Sequence, residues 1–227
     1  GIYLDNFIKA WTGGGFANGL LNSFIVVIGV VSIAILCSIL AAYAFEKLDI
    51  FGVTPLFAIL LVGLVLPYES IVISLYYSMR SYDLTNTHLS LILPQIGLSI
   101  PFSIFWLRAS FRAIPKSLSE AAMIEGASRF TILTKILIPQ MIPAILTLTV
   151  LLFMWTWNEF LLALIMIQDA DMRTAPLALS YFAGNKRYGD PAITAAAAIW
   201  VALPVLIVYI FLQRRFISGM VTGSIKE

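Results

Sequence analysis

Long apolar runs alternate with short polar segments along most of the chain. Five runs are long enough to cross a membrane, near residues 20–45, 52–79, 88–111, 137–167 and 191–213. Crossing a hydrocarbon core of roughly 30 Å takes about 20 helical residues. Backbone amides in lipid must be paired internally, so uninterrupted runs of this length favour helices over barrel strands. The pattern predicts an all-α fold, a polytopic membrane helix bundle.

Composition agrees with a membrane protein and disfavours an enzyme. Hydrophobic residues make up 60% and charged residues 11% of the chain, and the mean hydropathy is +0.95. The sequence has no nucleotide phosphate loop, no zinc-protease motif and no nucleophile elbow. Its one histidine, His88, and one cysteine, Cys37, offer little for a multi-ligand metal site or a catalytic triad. We therefore expect a transporter, channel, receptor or scaffold, with no metal.

One long polar stretch interrupts this pattern: EAAMIEGASRFTILTKILIPQ, residues 120–140. Pro115 can start a short helix ahead of it, with Ser117 or Ser119 as the N-cap and Glu120 in the first turn. Gly126 would then end or bend that helix.

The composition of this stretch favours contact with a protein. Ala122 and Gly126 are four residues apart, so they share one helix face that another backbone can approach closely. Glu120 offers a carboxylate to a charged partner. The alternative is an amphipathic helix lying on lipid headgroups, but that needs a large apolar face with Lys or Arg opposite.

The spacing of this stretch resembles the EAA signature of the permease subunits of bacterial ATP-binding cassette importers. The matching residues are Glu120, Ala121, Ala122, Gly126 and Pro139, with Ile138 where the usual form has Leu. The resemblance implies that these residues form a cytoplasmic helix that couples the permease to an ATPase.

Further stretches resemble the carbohydrate-uptake permeases of the maltose-transporter type, and the second permease of the pair most closely. These are Asn86-Thr87, Pro101-Phe102-Ser103-Ile104, Ile114-Pro115, Trp157-Asn158-Glu159-Phe160, Arg173-Thr174-Ala175-Pro176-Leu177 and the ending Gly219 to Lys226. Residues 1–227 are thus expected to form a single permease domain. Such subunits carry a further N-terminal span, so we expect the sequence to begin after it.

The resemblance implies a division of labour between several proteins. The chain would form a translocation pathway with a second permease, as a heterodimer, for a sugar or oligosaccharide delivered by an extracytoplasmic binding protein. Two copies of a cytoplasmic ATPase would use ATP and Mg, and this chain would bind no cofactor. One alternative is a non-carbohydrate solute such as glycerol phosphate. A secondary transporter is another, although no internal repeat supports it.

The distribution of basic residues predicts the orientation. With five spans and a cytoplasmic C-terminus, nine basic residues lie inside and five outside, as the positive-inside rule favours. The expected location is the cytoplasmic membrane of a bacterium or archaeon, with no nucleic-acid contact at a net charge of only +2.

Four residues are candidates for the pathway or the substrate site. Glu69 follows Pro67 within the second run, and an intramembrane carboxylate either contacts substrate or pairs with another helix. Trp157, Asn158 and Glu159 lie near the predicted outer face. An aromatic ring beside amides can stack on sugar, while an interfacial Trp belt and helix capping explain the same residues.

The outer connection from Gln168 to Asp190 is the longest external segment between spans. Its tip contains Gly184, Asn185, Lys186, Arg187 and Tyr188. In permeases of the maltose type, a loop here reaches into the binding protein and helps dislodge the sugar, so the resemblance implies that role for this tip. A merely solvated loop is the alternative.

Overall fold

Helices make up most of the chain. The computed structural model describes the backbone of residues 4–185 and 190–224 and the side chains within them up to residue 211. The helices are α1 Asp5–Gly14, α2 Phe16–Lys47, α3 Val53–Val65, α4 Val72–Ser81, α5 His88–Ala113, α6 Lys116–Ile124, α7 Arg129–Thr131, α8 Ile138–Trp157, α9 Leu161–Met166, α10 Ala175–Ala183 and α11 Pro191–Ser224. No strand occurs within the described backbone, so the predicted all-α class is confirmed.

Four helical stretches are long and apolar enough to cross a membrane. They are Phe16–Lys47, His88–Ala113, Arg129–Trp157 and Pro191–Phe211, counted over the described residues. The first, third and fifth predicted runs each coincide with one helix. Each of the other two runs is divided into two helices, because hydropathy alone does not show which residues end a helix.

The second predicted run, 52–79, is not one continuous helix. Helix α3 ends at Val65, a 3-10 turn occupies Tyr68–Ser70, and α4 begins at Val72. Pro67 causes the break, since proline lacks an N–H and drives the preceding residue out of the helical region. Leu66 accordingly has the extended angles φ −71° and ψ 124°.

The fourth predicted run, 137–167, is also divided. Helix α8 ends at Trp157, and α9 begins at Leu161 after a three-residue interruption. The side chain of Glu159 accepts a hydrogen bond from the N–H of Leu162 and so starts the second piece. A carboxylate that pairs with free N–H groups at a helix start favours a new helix over continuation of the old one.

Side chains of α2 contact side chains of α5 at two places. Asn22 near the start of α2 bonds to His88 at the start of α5, and Glu46 at the end of α2 pairs with Arg108 towards the end of α5. Helix α3 has 13 residues and so extends about 20 Å, which is less than a hydrocarbon core of roughly 30 Å.

Contacts within the chain define two compact units. The first comprises residues 1–30, 68–95 and 153–211, and the second comprises residues 31–67, 96–152 and 212–227. Trp157 is among the largest fully buried side chains of the first, and Phe111 is among those of the second. The polar interruption after α5 belongs to the second unit. One permease domain over residues 1–227 stays a prediction.

Candidate functional site

The polar interruption forms a short helix that begins earlier than the sequence pattern predicts. Helix α6 starts at Lys116, directly after Pro115, whose angles are φ −56° and ψ 137°. The predicted N-caps Ser117 and Ser119 therefore lie inside the helix, and that prediction is wrong. Glu120 consequently falls in the second turn rather than the first. Proline fixes its own φ at a value suited to a helix start, which explains the earlier beginning.

Gly126 ends α6, as one of the two sequence readings has it. Its φ is +83°, and its N–H donates to the carbonyl of Met123 at 3.0 Å. The N–H of Ala127 reaches back to the carbonyl of Ala122 at 2.9 Å. This pair of bonds is the Schellman arrangement, which requires a left-handed residue at the position of Gly126. The left-handed conformation favours glycine because it has no Cβ.

The predicted small-residue face does not form as expected. Ala122 is 8% exposed and packs within its own chain, whereas Gly126 is exposed. Two large apolar side chains point outward instead: Ile124 is 88% exposed and Phe130 is 71% exposed. Sequence reasoning missed both, although an isolated apolar residue in a polar loop is the available signal. The outward surface of this segment combines a carboxylate with apolar side chains.

A cavity of about 320 Å³ lies beside α6. Its lining includes Lys47, Lys116 and Arg129 as cations, with Asp49 and Glu120 as anions. Among the residues that the structure describes, Glu120 forms no ion pair within 4 Å. Its exposed carboxylate is thus available to a group from outside the chain.

The segment after α6 joins the next long helix through an unusual turn. Residues Ile132–Leu137 are π-helical, and α8 continues from Ile138. Pro139 has no N–H to donate to the carbonyl of Lys135, which favours a locally wider turn. Short π-helical insertions occur often at functional positions in helices.

The structure places Trp157 in a core rather than on an open surface. It is 1% exposed, and its Nε1–H donates to the carbonyl of Val201 at 3.1 Å. The rings of Phe153 and Phe24 lie 5.6 Å and 5.0 Å from it, between centroids. So little exposed ring surface gives no support to stacking of Trp157 on a sugar.

Glu159 and Asn158 both hold the chain between α8 and α9. The two carboxylate oxygens of Glu159 accept from the N–H of Leu162 at 3.1 Å and 3.0 Å, and Tyr68 donates its hydroxyl to Oε1 at 2.8 Å. Asn158 donates its side-chain amide to the carbonyl of Met154 at 2.8 Å. Capping therefore accounts for these contacts. Glu69, one residue after Tyr68, is exposed in the 3-10 turn.

A polar network in the first unit gathers three parts of the chain. Asn22 donates to the carbonyls of Asp171 and Arg173 at 2.7 Å and 3.0 Å. These bonds fix the side-chain amide, so Oδ1 accepts from Nε2 of His88 at 2.9 Å. His88, the first residue of α5, is thereby bonded to α2. Nothing in the sequence pattern singled out Asn22, although it is an amide at the edge of an apolar run.

Asn86 forms a second connection in this network. Its φ is +61°, and its Oδ1 accepts from the N–H groups of Gln168 and Asp169 at 3.0 Å each. Asparagine is one of the few residues that tolerate this left-handed conformation. The stretches around residues 86 and 173 thus meet at this network.

The outer connection contains more regular structure than a loop. A 3-10 turn occupies Ala170–Met172 and α10 covers Ala175–Ala183. The N–H of Ala175 donates to Oγ of Ser23 at 2.9 Å, which attaches α10 to α2. Gly184 and Asn185 follow α10, whereas the predicted tip residues Lys186, Arg187 and Tyr188 lie outside the described residues.

Known proteins resemble this chain over nearly its whole length. A family model described as binding-protein-dependent transport system inner membrane component matches residues 10–221. The trehalose transport system permease protein SugB of Mycobacterium tuberculosis is 32% identical, over 99% of this chain and 82% of its own length. The arabinooligosaccharides transport system permease protein AraQ of Halalkalibacterium halodurans is also 32% identical, over 99% of this chain and 80% of its own length.

A solved structure supports the fold independently. A chain of a bacterial ABC transporter involved in the import of the acidic polysaccharide alginate superposes with a TM-score of 0.77 at 23% identity, covering 93% of this chain and 79% of that chain. The family is one of transport components, not enzymes, and its dependence on a binding protein contradicts the alternative of a secondary transporter. The long apolar helices and these matches together show that the chain belongs to the family of binding-protein-dependent transport system inner membrane components.

Proposed function

We propose that this chain is one of two permease subunits of an ATP-driven importer for a sugar or oligosaccharide. Residues 116–130, which we name the coupling segment, dock onto a cytoplasmic ATPase. The observation that carries this proposal is the exposed surface of α6 and the residues after it, where Glu120 has no internal ion pair among the described residues and Ile124 is 88% exposed.

The coupling segment has the physical properties of a docking element. A carboxylate without an internal partner gives specificity towards a basic group, and exposed apolar side chains give contact area. Exposure of the Ile124 and Phe130 side chains to water is unfavourable. A partner that covers them buries this apolar surface, which favours binding. The Schellman bonds at Gly126 hold the end of α6 in a fixed shape, so docking costs little ordering entropy.

The sugar specificity rests on the names of the relatives. SugB is named for trehalose, AraQ for arabinooligosaccharides, and a Streptomyces coelicolor relative at 28% identity for diacetylchitobiose. These names favour a carbohydrate over a solute such as glycerol phosphate. Glu69 remains a pathway candidate because it is exposed beside the break at Pro67.

The direction of the helices supports a cytoplasmic C-terminus. Two long helices, α8 and α11, separate the coupling segment from the C-terminus, so both lie on the same side of the membrane. An ATPase is cytoplasmic, so docking at the coupling segment places the C-terminus there too. The second permease, two copies of the ATPase and an extracytoplasmic binding protein complete the assembly. The tip Gly184 to Tyr188 is the proposed contact with that binding protein.

The test is co-purification of the ATPase with the assembled importer carrying Glu120→Lys or Glu120→Gln. A panel of trehalose, arabinotriose and diacetylchitobiose identifies the sugar that stimulates ATP hydrolysis. We expect Glu120→Lys to lower ATPase association and uptake while membrane insertion stays normal, since it places a repelling charge in the interface. Glu125→Lys is matched in charge change, so a smaller effect there identifies a specific partner for Glu120. Wild-type association and uptake in Glu120→Lys would exclude docking through this residue.

A further inference from the structure

Glu46, at the C-terminal end of α2, lies between two arginines of α5. Its Oε2 accepts from Nε of Arg108 at 2.7 Å, and its Oε1 accepts from Nε of Arg112 at 2.9 Å. Nη2 of Arg112 is 3.2 Å from Oε2. The side chains of Glu46 and Arg108 are 15% and 16% exposed, whereas that of Arg112 is 66% exposed. One carboxylate thus holds two guanidinium groups that are four residues apart, on one face of α5.

Two neighbouring contacts extend this ion cluster. The guanidinium carbon of Arg108 lies 4.2 Å from the ring centroid of Phe57 in α3. The next residue of α2, Lys47, donates its Nζ to the carbonyl of Ile114 at 2.7 Å. Only Ile114 and Pro115 separate α5 from α6. The cluster therefore fixes the end of α5 against α2 and α3 at the point where the coupling segment begins.

Stability alone does not explain why charged groups occupy this position. Withdrawing a carboxylate and a guanidinium from water costs free energy that their attraction often only offsets, so apolar residues could attach the helices equally well. A carboxylate shared by two arginines adds a defined geometry, because planar guanidinium groups bind it in restricted orientations, and Arg112 does so through two nitrogens. Such contacts transmit displacement instead of letting one helix slide past another.

We propose that Glu46, Arg108 and Arg112 are positioning residues that make α2 and α5 move together with α6 during transport. This inference rests on the proposed docking of the coupling segment to an ATPase. Without the cluster, a movement of α6 can be taken up at Ile114 and Pro115 and does not reach the membrane helices. ATP hydrolysis would then continue while transport per ATP falls.

The experiment uses the complete importer in proteoliposomes with its binding protein. The sugar of the panel that most stimulates hydrolysis is radiolabelled, and uptake and ATP hydrolysis are measured on the same preparation. In Glu46→Gln and Arg112→Gln we expect uptake per ATP to fall by roughly fivefold, the lower end of typical coupling between sites. Arg80→Gln, an exposed arginine on α4, is the matched control and should leave this ratio unchanged. Arg112→Lys keeps the charge but not the fork, so its ratio should fall in between.

The ratio of uptake to ATP hydrolysis distinguishes a positioning role of these residues from a purely structural one. Poor folding lowers the amount of assembled importer and reduces uptake and hydrolysis in equal proportion, which leaves the ratio unchanged. An unchanged ratio in both variants would overturn the inference. If Glu46→Gln does not insert into the membrane, the ratio in Arg112→Gln decides the test, because the Arg112 side chain is mostly exposed and tolerates replacement. Failure of the underlying docking proposal is seen separately, as normal ATPase association and uptake in Glu120→Lys.

Discussion

The hydroxyl of Tyr68 donates to Oε1 of Glu159 at 2.8 Å, so the turn that follows α3 is attached to the turn that precedes α9. Each turn interrupts an apolar run that the hydropathy pattern predicts as continuous. A hydrogen bond to a charged acceptor is stronger than one between neutral groups. The two interruptions therefore stabilise each other.

Removing this hydrogen bond should destabilise the protein without changing its fold. Tyr68→Phe deletes only the hydroxyl and should cost about 1 kcal/mol, since Glu159 keeps its bond to Leu162. We expect the Tm in detergent to fall by about 2 to 4 °C, the usual scale for a chain of this size. Tyr77→Phe, which changes an exposed tyrosine, is the control. An equal Tm for Tyr68→Phe and the wild type would contradict the prediction.

Trp157 should behave as a core residue. Trp157→Ala leaves a cavity and should cost about 3 to 5 kcal/mol, whereas Trp157→Phe keeps much of the ring volume and loses the bond to Val201. We expect Trp157→Ala to lower the Tm more than Trp157→Phe does. The KM for sugar uptake should be unchanged in the Phe variant. A higher KM at normal Tm in Trp157→Phe would instead indicate that the ring contacts sugar.

Two requirements can explain a glycine at position 126: its left-handed backbone conformation and close approach of the ATPase. A single substitution cannot distinguish them. A Cβ added there meets no atom of the chain within 4 Å, but the φ of +83° strains most side chains. Asn tolerates this conformation better than Ala although it is larger. If the ATPase backbone packs closely at Gly126, Gly126→Asn should reduce ATPase association at least as much as Gly126→Ala.

The opposite order of these two variants has a different meaning. If the Ala variant loses Tm and association while the Asn variant retains both, only the shape of the helix end matters. That result would remove Gly126 from the docking surface. ATPase co-purification and Tm in detergent, measured on the same preparations, distinguish the two cases.

Asn22 should be intolerant of substitution. Asn22 is 6% exposed, and Asp in its place cannot donate to the carbonyls of Asp171 and Arg173. Asn22→Asp should therefore cost about 1 to 3 kcal/mol. Asn18 is exposed, and its amide is 3.5 Å from Oδ1 of Asp171. Asn18→Asp is therefore the control and should change the Tm little. Equal Tm values for the two variants would show that the network contributes nothing to stability.

The outer tip can be tested by changing its chemistry at constant length. Replacing residues 185–188 by Gly-Ser-Gly-Ser should reduce transport much more than assembly if this segment contacts the binding protein. The readouts are binding-protein-stimulated ATP hydrolysis and sugar uptake, with co-purification as the measure of assembly. Full transport by this variant would show that the segment only connects α10 to α11.

The fold class, three of the long apolar helices and the short helix α6 could be predicted from the sequence because each depends on local pattern, whereas the docking role of α6 stays a prediction. Long apolar runs identify α2, α5 and α11, and the spacing of Glu120 and Gly126 identifies α6 and its end. The burial of Trp157 and Ala122 could not be predicted, since it depends on which distant side chains surround them. The division of the second run could have been anticipated from Pro67, which favours a chain break, and that of the fourth run from the capping role considered for Asn158 and Glu159.

The interruption at Pro67 also limits what surrounds the chain in the bilayer. Val65 is 82% exposed and Leu66 is 56% exposed, and the last carbonyls of α3 have no following helical turn to pair with. Hydrocarbon tails provide no donors for such carbonyls, so irregular backbone at membrane depth occurs only against protein or water. Irregular backbone of this kind at membrane depth therefore lies against protein or water, and lipid does not cover it.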